Sequence, residues 1–399
     1  MTNTLLPPAT IGMIGGGQLG MMTLREARRM GYRSIVWDSD PECPASKVAE
    51  RTITAPFEDT QAAEQLGRSS DVVTYEFENI DAQTVETIES NKPVFPGSPI
   101  LRIAQHRGVE KEALLKAGFP VVRFLSASTA DGLKTAVREI GYPVVVKTST
   151  TGYDGKGQSV LRTGEELESF LKKEGEQFAE RVVEQFLPLQ LEISVIAVRG
   201  REGTVTTFPV LENEHRENIL HVTRVPAELP ADLAQKATDL GRAVIEHFRI
   251  VGVLCVEMFV THDGRLLVNE LAPRPHNSGH FSLDASSVSQ FEALVRCVCG
   301  LPIHQPRLLS PCAMVNLLGK HLQRLDLAEV QKIEGAKIHL YGKSRREPKR
   351  KMGHMTVLGR SRPEVEEKVQ KLERLIGEEA NAVVRSPGGK LTRTSVTAV

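Results

Sequence analysis

Residues 10–38, TIGMIGGGQLGMMTLREARRMGYRSIVWD, constrain the fold more than any other stretch of the chain. An apolar run, TIGMIG, enters a glycine turn. A helix-periodic segment follows and stops at Gly31, and a second apolar run, RSIVWD, comes after it. Residues 58–67 have helical character, and DVVTYEF reads as a further strand. Strands joined through helical crossovers lie parallel, so this segment predicts a βαβ layout and an α/β class.

The turn itself spells Gly15-x-Gly17-x-x-Gly20, and Asp38 ends the next strand 21 residues after Gly17. That is the outline of a dinucleotide fingerprint with its acidic ribose partner. Free N–H groups at a helix start favour phosphate, so the turn fits NAD, a nucleotide monophosphate, or a purely structural bend. The motif alone leaves all three open.

At 399 residues the chain is long enough for two or three domains of roughly 150 residues. NKPVFPGSP marks a boundary near residues 92–99. Beyond it a helix is predicted over 101–117. Strands follow at 143–148, 158–162, 181–185, 191–199, 203–210 and within 251–270, with helices near 164–173, 230–248 and 286–300. That mixture is α+β. After GLPIHQPRLLSP come three strand-like runs (CAMVNLLG, AKIHLYGK, KMGHMTVLG) and a charged helix at 363–378. The resulting division is 1–98, 99–304 with a lid subdomain at about 120–185, and 305–399 with a frayed tail at 386–399.

Fifty basic residues balance fifty acidic ones, so no overall field favours nucleic acid or an anionic membrane. Five scattered cysteines give neither a disulfide framework nor a C-x-x-C pair, and Cys297 and Cys299 read as small apolar residues in a helix. With no basic leader and no long apolar run, the reading is a soluble, cytoplasmic protein.

Two later segments carry chemistry. YPVVVK ends a strand at Lys147, and TGYDGKGQ follows: a loop with little bulk, whose backbone can close over a polyphosphate while Lys147 offers a point charge. An ordinary flexible hairpin is the alternative. In LCVEMFVTHDGRLLVNEL, Asp263-Gly264 signals a hairpin. A two-residue turn there pairs His262 with Arg265 and Thr261 with Leu266, which sets Glu257 opposite Glu270. Facing carboxylates among apolar neighbours repel unless a cation lies between them, and Mg²⁺ suits oxygen ligands and phosphate. The competing reading is a solvated edge or a one-residue slip. Strict alternation sends Asn269 to the other face, so a role beside Glu270 requires a bulge.

Taken in series, GGGQLG, TYEFEN, GYDGKGQ, NELAPRPHNSGH and HLYGK…RKMGH resemble the N5-carboxyaminoimidazole ribonucleotide synthase family of ATP-grasp ligases, over roughly residues 10–358. The resemblance implies an ATP-grasp fold with a Rossmann-like pre-ATP-grasp domain and a small β-rich C-terminal domain. It also implies ATP-dependent carboxylation of 5-aminoimidazole ribonucleotide by bicarbonate through carboxyphosphate, with ATP and Mg²⁺, in a homodimer. Lys147, Asp154 and Arg274 are then catalytic.

By the same resemblance, Arg107, Lys147, Gly152, Tyr153, Asp154, Gly155, Lys156, Gly157, Gln158, His215, Asn269 and Glu270 attend the nucleotide. Glu184, Gln185, Phe186 and Leu187 line the adenine site, and Glu192 takes the ribose. Glu257 and Glu270 hold the metal. Gln18, Glu76, Tyr153, Asp154, Arg274, His276, Asn277, Lys343 and Arg350 meet the ribonucleotide. Met21, His106 and Thr151 depart from the family pattern, and Met21 puts a phosphate contact by the first domain in question. A ligase for another carboxylate, a nicotinamide-dependent oxidoreductase built on the first turn, and a non-catalytic nucleotide sensor are the rival readings.

Overall fold

The computed structural model describes residues 4–150, 157–175 and 178–378. Near the N-terminus, β1 (Thr10–Ile14), β2 (Arg33–Asp38), β3 (Arg51–Thr54) and β4 (Val72–Tyr75) form a parallel sheet in the order β3-β2-β1-β4. Ile11–Ile14 and Val72–Tyr75 are buried without alternation, as expected for strands covered on both faces by crossover helices. One of those helices, Thr60–Ser69, starts on Asp59, whose carboxylate accepts the N–H groups of Gln61 and Ala62 at 2.9 and 3.0 Å.

A second sheet is antiparallel: β5 (Phe124–Ala127), β6 (Val144–Thr148), β7 (Gln158–Leu161) and β8 (Arg181–Gln185), in the order β5-β8-β6-β7. Its core is local, with Val144, Val146 and Val183 packed against Leu133 and Val137 of the helix Ala130–Ile140. Residues 151–156 between β6 and β7 lie outside the described residues, and with them Gly152, Tyr153, Asp154, Gly155 and Lys156. So does the predicted frayed tail.

The third sheet has nine strands: β9 (Leu189–Arg199), β10 (Val205–Thr207), β11 (Leu211–Arg216), β12 (Ile219–Val225), β13 (Gly252–Thr261), β14 (Leu266–Ala272), β15 (Cys312–Leu318), β16 (Ala336–Leu340) and β17 (Lys351–Leu358). Eight run in the order β14-β13-β9-β11-β12-β15-β17-β16, and β10 adds to β9. The C-terminal strands therefore extend the central sheet, through Val222 opposite Val315, instead of building one of their own.

Two local differences from the sequence reading have clear causes. The helix predicted over 101–117 is two helices, Ser98–Ala104 and Arg107–Lys116, because the His106 ring turns back to accept the Val109 N–H at 3.3 Å and caps the second. The hairpin β11–β12 escaped notice because its strands carry the charged run ENEHREN. Its turn residues Glu217 and Asn218 have φ of 50° and 63°, the twist that a tight two-residue hairpin needs.

Candidate active site

The geometry begins at the hairpin β13–β14. Its loop has three residues, not two: the Thr261 N–H donates to the Arg265 carbonyl at 3.0 Å, and Gly264 takes φ +79°. Val260 then faces Leu266, Phe259 faces Leu267 and Met258 faces Val268, one place out of the predicted register. A bulge at Asn269 restores it, so Glu257 does face Glu270. Two departures cancel. The bulge also does what strict alternation forbids, for Asn269 and Glu270 both line one cleft together with Glu257.

Like charges about 5 Å apart repel by roughly 3 kcal/mol at an effective dielectric near 20, more than a typical hydrogen bond returns. Burial and the charge of Glu270 accordingly push the Glu257 carboxyl up to about 7. The Asn269 Oδ1 is buried and finds no partner among the described residues. Two opposed carboxylates and an orphaned amide oxygen form an all-oxygen donor set, which fits a hard divalent cation.

Cationic groups stand across from these acids. Arg107, first residue of its helix, reaches Glu270 at 3.2 Å. Lys147, at the end of β6, is buried and lies 2.9 Å from Glu184, whose other oxygen is 3.1 Å from the fully buried Lys111. Burial opposes the charge on Glu184, but Lys111 and Lys147 prevail and hold it down to about 2. Lys147 is itself lowered, because burial and the nearby cations outweigh its single shared carboxylate. Its charge is thus incompletely matched within the chain.

The cleft encloses about 450 Å³ and draws walls from the segments that follow β1 and β4 and from the other two sheets: Gln18 and Glu76 to Asn79, then Lys147 and Gln158, then the hairpin acids, Glu192, His215 and Lys351. Burial works against a proton on His215, but Glu192 at 2.7 Å overrides it and raises the imidazole. His276 is held neutral by burial and neighbouring Arg274. Its Nδ1 accepts the Ser278 N–H at 3.3 Å, which leaves Nε2–H to donate to Glu257 at 3.1 Å. Arg274 makes a forked contact with Glu78, one arm at 2.8 Å. Both polar atoms of the buried Asn277 side chain lack partners among the described residues.

Not every residue expected at the site lines this cleft. Glu184 is buried among lysines, and Gln185, Phe186 and Leu187 are absent from the cleft wall; Leu187 packs with Val122, Phe259 and Leu267. Lys343 donates to the Lys351 carbonyl at 3.0 Å and Arg350 to that of Arg345 at 3.3 Å, and Lys351, directly after Arg350 in the same basic run, is the one that lines the cleft. Glu78 and Glu110 were missed, although Glu78 sits inside TYEFEN. Lone acids carry no periodic signal.

The first glycine turn holds no free phosphate cradle. The N–H groups of Gly17 and Gly20 already donate to the Glu76 carboxylate, the second at 2.7 Å, and Asp38 accepts Gly16 at 2.6 Å and Asp40 at 2.8 Å. A Cβ on Gly17 would sit 2.5 Å from Glu76 Oε1, so the glycine admits the chain's own acid, not a pyrophosphate. Met21, where arginine was expected, is buried. With Asp38 committed to the backbone, the oxidoreductase reading loses its ribose partner.

Sequence models of three domains match in order: the ribonucleotide synthetase preATP-grasp domain at 8–105, the ATP-grasp domain at 112–291, and the phosphoribosylaminoimidazole carboxylase C-terminal domain at 312–368. N5-carboxyaminoimidazole ribonucleotide synthase of Bacillus subtilis is 43% identical over 356 residues, 89% of this chain and 92% of that protein. The chain belongs to the N5-carboxyaminoimidazole ribonucleotide synthase family. Among solved members of the family, the Staphylococcus aureus synthetase complexed with ADP superposes with a TM-score of 0.88 at 40% identity, covering 94% of this chain and 98% of that one. The Aspergillus clavatus synthase in complex with ADP and 5-aminoimidazole ribonucleotide gives 0.86 at 29% identity, covering 94% and 100%. No described helix is long and apolar enough to cross a membrane.

Proposed function

We infer that this chain is an ATP-dependent carbon–nitrogen ligase that carboxylates 5-aminoimidazole ribonucleotide in purine biosynthesis, and we propose bicarbonate as the carboxyl source and a homodimer as the assembled state. The observation that carries the mechanism is the bulged hairpin, which sets Glu257, Asn269 and Glu270 on one wall facing Arg107 and Lys147. Bicarbonate is a poor electrophile. Transfer of the ATP γ-phosphoryl to its oxygen gives carboxyphosphate and ADP, the amine nitrogen then bonds to the carboxyl carbon, and phosphate leaves with an amine proton released.

Glu257, Glu270 and Asn269 would hold Mg²⁺, which supplies charge neutralisation at the phosphoryl oxygens when bound. Lys147 and Arg107 add fixed positive charge on the same side, where little water dilutes it. Gly157 and Gln158 line the cleft wall, where water must be kept from carboxyphosphate; Tyr153 and Asp154, proposed for the same site, lie outside the described residues. Gln185 to Leu187 meet the adenine and Glu192 the ribose. Arg274, oriented by Glu78, and His276 face the aminoimidazole, and Lys351 joins Lys343 and Arg350 at the ribonucleotide phosphate. Glu76 orders the turn that presents Gln18.

ADP release on mixing Mg-ATP, bicarbonate and 5-aminoimidazole ribonucleotide tests the reading. Release that does not depend on the ribonucleotide overturns it. Light scattering of the purified protein tests the dimer, and a monomeric mass removes it.

A further inference from the structure

The bulge at Asn269 raises a question that its own ladder does not answer. β14 is the edge of the central sheet, so its outward N–H groups must find partners elsewhere. The Val268 N–H donates to the Pro120 carbonyl at 2.7 Å. In a regular strand the next outward group would belong to residue 270, but the extra residue moves it to Leu271. The Leu271 N–H donates to Glu110 Oε1 at 2.7 Å, and Glu110 is 2% exposed.

Glu110 is on the helix Arg107–Lys116, whose inner face joins both sides of the cleft. The Arg107 N–H donates to the Ser149 carbonyl at 2.8 Å while its guanidinium holds Glu270, and Lys111 holds Glu184 of β8. Nothing in the proposed chemistry uses Glu110. A buried carboxyl beside Glu270 is an expensive choice unless its position matters: burial and Glu270 push it up to about 8, against the pull of Arg107.

We propose that Glu110 is a positioning residue, an anchor for the backbone at Leu271 that stabilises the bulge carrying Asn269 and Glu270 into the metal and nucleotide site. The inference rests on the ligase reading for the identity of that site. Without the anchor the bulged strand gains by sliding to regular pairing, which turns one of the two side chains out of the cleft.

Three variants separate this role from a structural one. Glu110→Ala removes the acceptor, Glu110→Met removes it while keeping volume if the alanine variant melts, and Glu110→Gln keeps an oxygen for Leu271. The readouts are Mn²⁺ binding in the presence of ADP by electron paramagnetic resonance, amide exchange over residues 266–272, and separate Michaelis constants for Mg-ATP and the ribonucleotide. Loss of the acceptor should weaken Mn²⁺ binding by about tenfold or more, speed exchange at Leu271 and raise the constant for Mg-ATP alone. The glutamine variant should stay close to wild type. A folded acceptor-free variant that binds Mn²⁺·ADP normally overturns the proposal, as does a glutamine variant as impaired as alanine. If Glu270→Gln also binds Mn²⁺·ADP normally, the metal reading itself falls, an outcome distinct from failure at Glu110 alone.

Discussion

Two groups of acids in this molecule meet opposite fates. At the N-terminal turn, Glu76 and Asp38 accept backbone N–H groups of the glycine loop, so the anion that the motif advertises is supplied by the chain. At the late hairpin, Glu257 and Glu270 face one another, with Arg107 on one and a neutral imidazole on the other. The first region is satisfied by folding. The second is left with a repulsion that Arg107 meets on one side only and that is relieved by a proton on Glu257 or by an added cation, and a ligand site is better located by such an unbalanced demand than by a glycine pattern.

The largest test removes half of that demand. Glu270→Gln should leave a folded protein and lower Mg-dependent turnover by about 10²-fold or more, because it deletes a ligand and frees Arg107 together. Initial rates at saturating substrates check it. Turnover within a few-fold of wild type would erase the contrast between the two acid groups.

Next is the substrate side, where the basic run divides between side chains on the cleft wall and those off it. Lys351→Ala should raise the Michaelis constant for the ribonucleotide by about tenfold, the worth of one charge-assisted hydrogen bond, with little change for ATP. Arg350→Ala should shift the same constant less, because Arg350 is off the wall and donates to the Arg345 carbonyl. Equal effects on both substrates would break the assignment.

A pH series probes the repulsion directly. Glu257 keeps its proton up to about 7 in the folded chain but releases it near 4.5 when unfolded, so between these values the native state binds more protons. Stability of the metal-free protein should therefore fall as pH rises through that window, by about 3 kcal/mol in all. Mg²⁺ should restore it progressively at higher pH, and Glu257→Gln should flatten the profile. Melting curves from pH 5 to 8 with and without Mg²⁺ decide this.

How much of this was legible depended on whether a signal was periodic or contingent. The apolar runs around residues 10–38 gave the parallel sheet, and the paired runs about Asp263-Gly264 gave the hairpin. The Glu257–Glu270 pairing was reached through a wrong turn and a missing bulge, since neither a three-residue loop nor an extra Asn269 leaves a mark in hydrophobic alternation. Glu110 was overlooked, and Lys351 was passed over in its basic run for Lys343 and Arg350, because which backbone or cleft a charged side chain meets is set by contacts as distant as that of residues 110 and 271. The central sheet's extension by β15–β17 was hidden for a related reason. Strand order is decided by edges that sequence spacing does not specify.

The smallest expected effect tests the satisfied region. Asp38→Ala removes the acceptor for the N–H groups of Gly16 and Asp40, so it should lower stability by about 1–3 kcal/mol. It should leave ADP affinity and the carboxylation rate unchanged, because Asp38 does not line the cleft. Thermal melts and ADP calorimetry on one preparation separate the two effects. An alanine variant that melts like wild type but binds ADP tenfold more weakly would mean that the glycine turn meets nucleotide after all, and the contrast drawn between the two acid groups would have to be reversed.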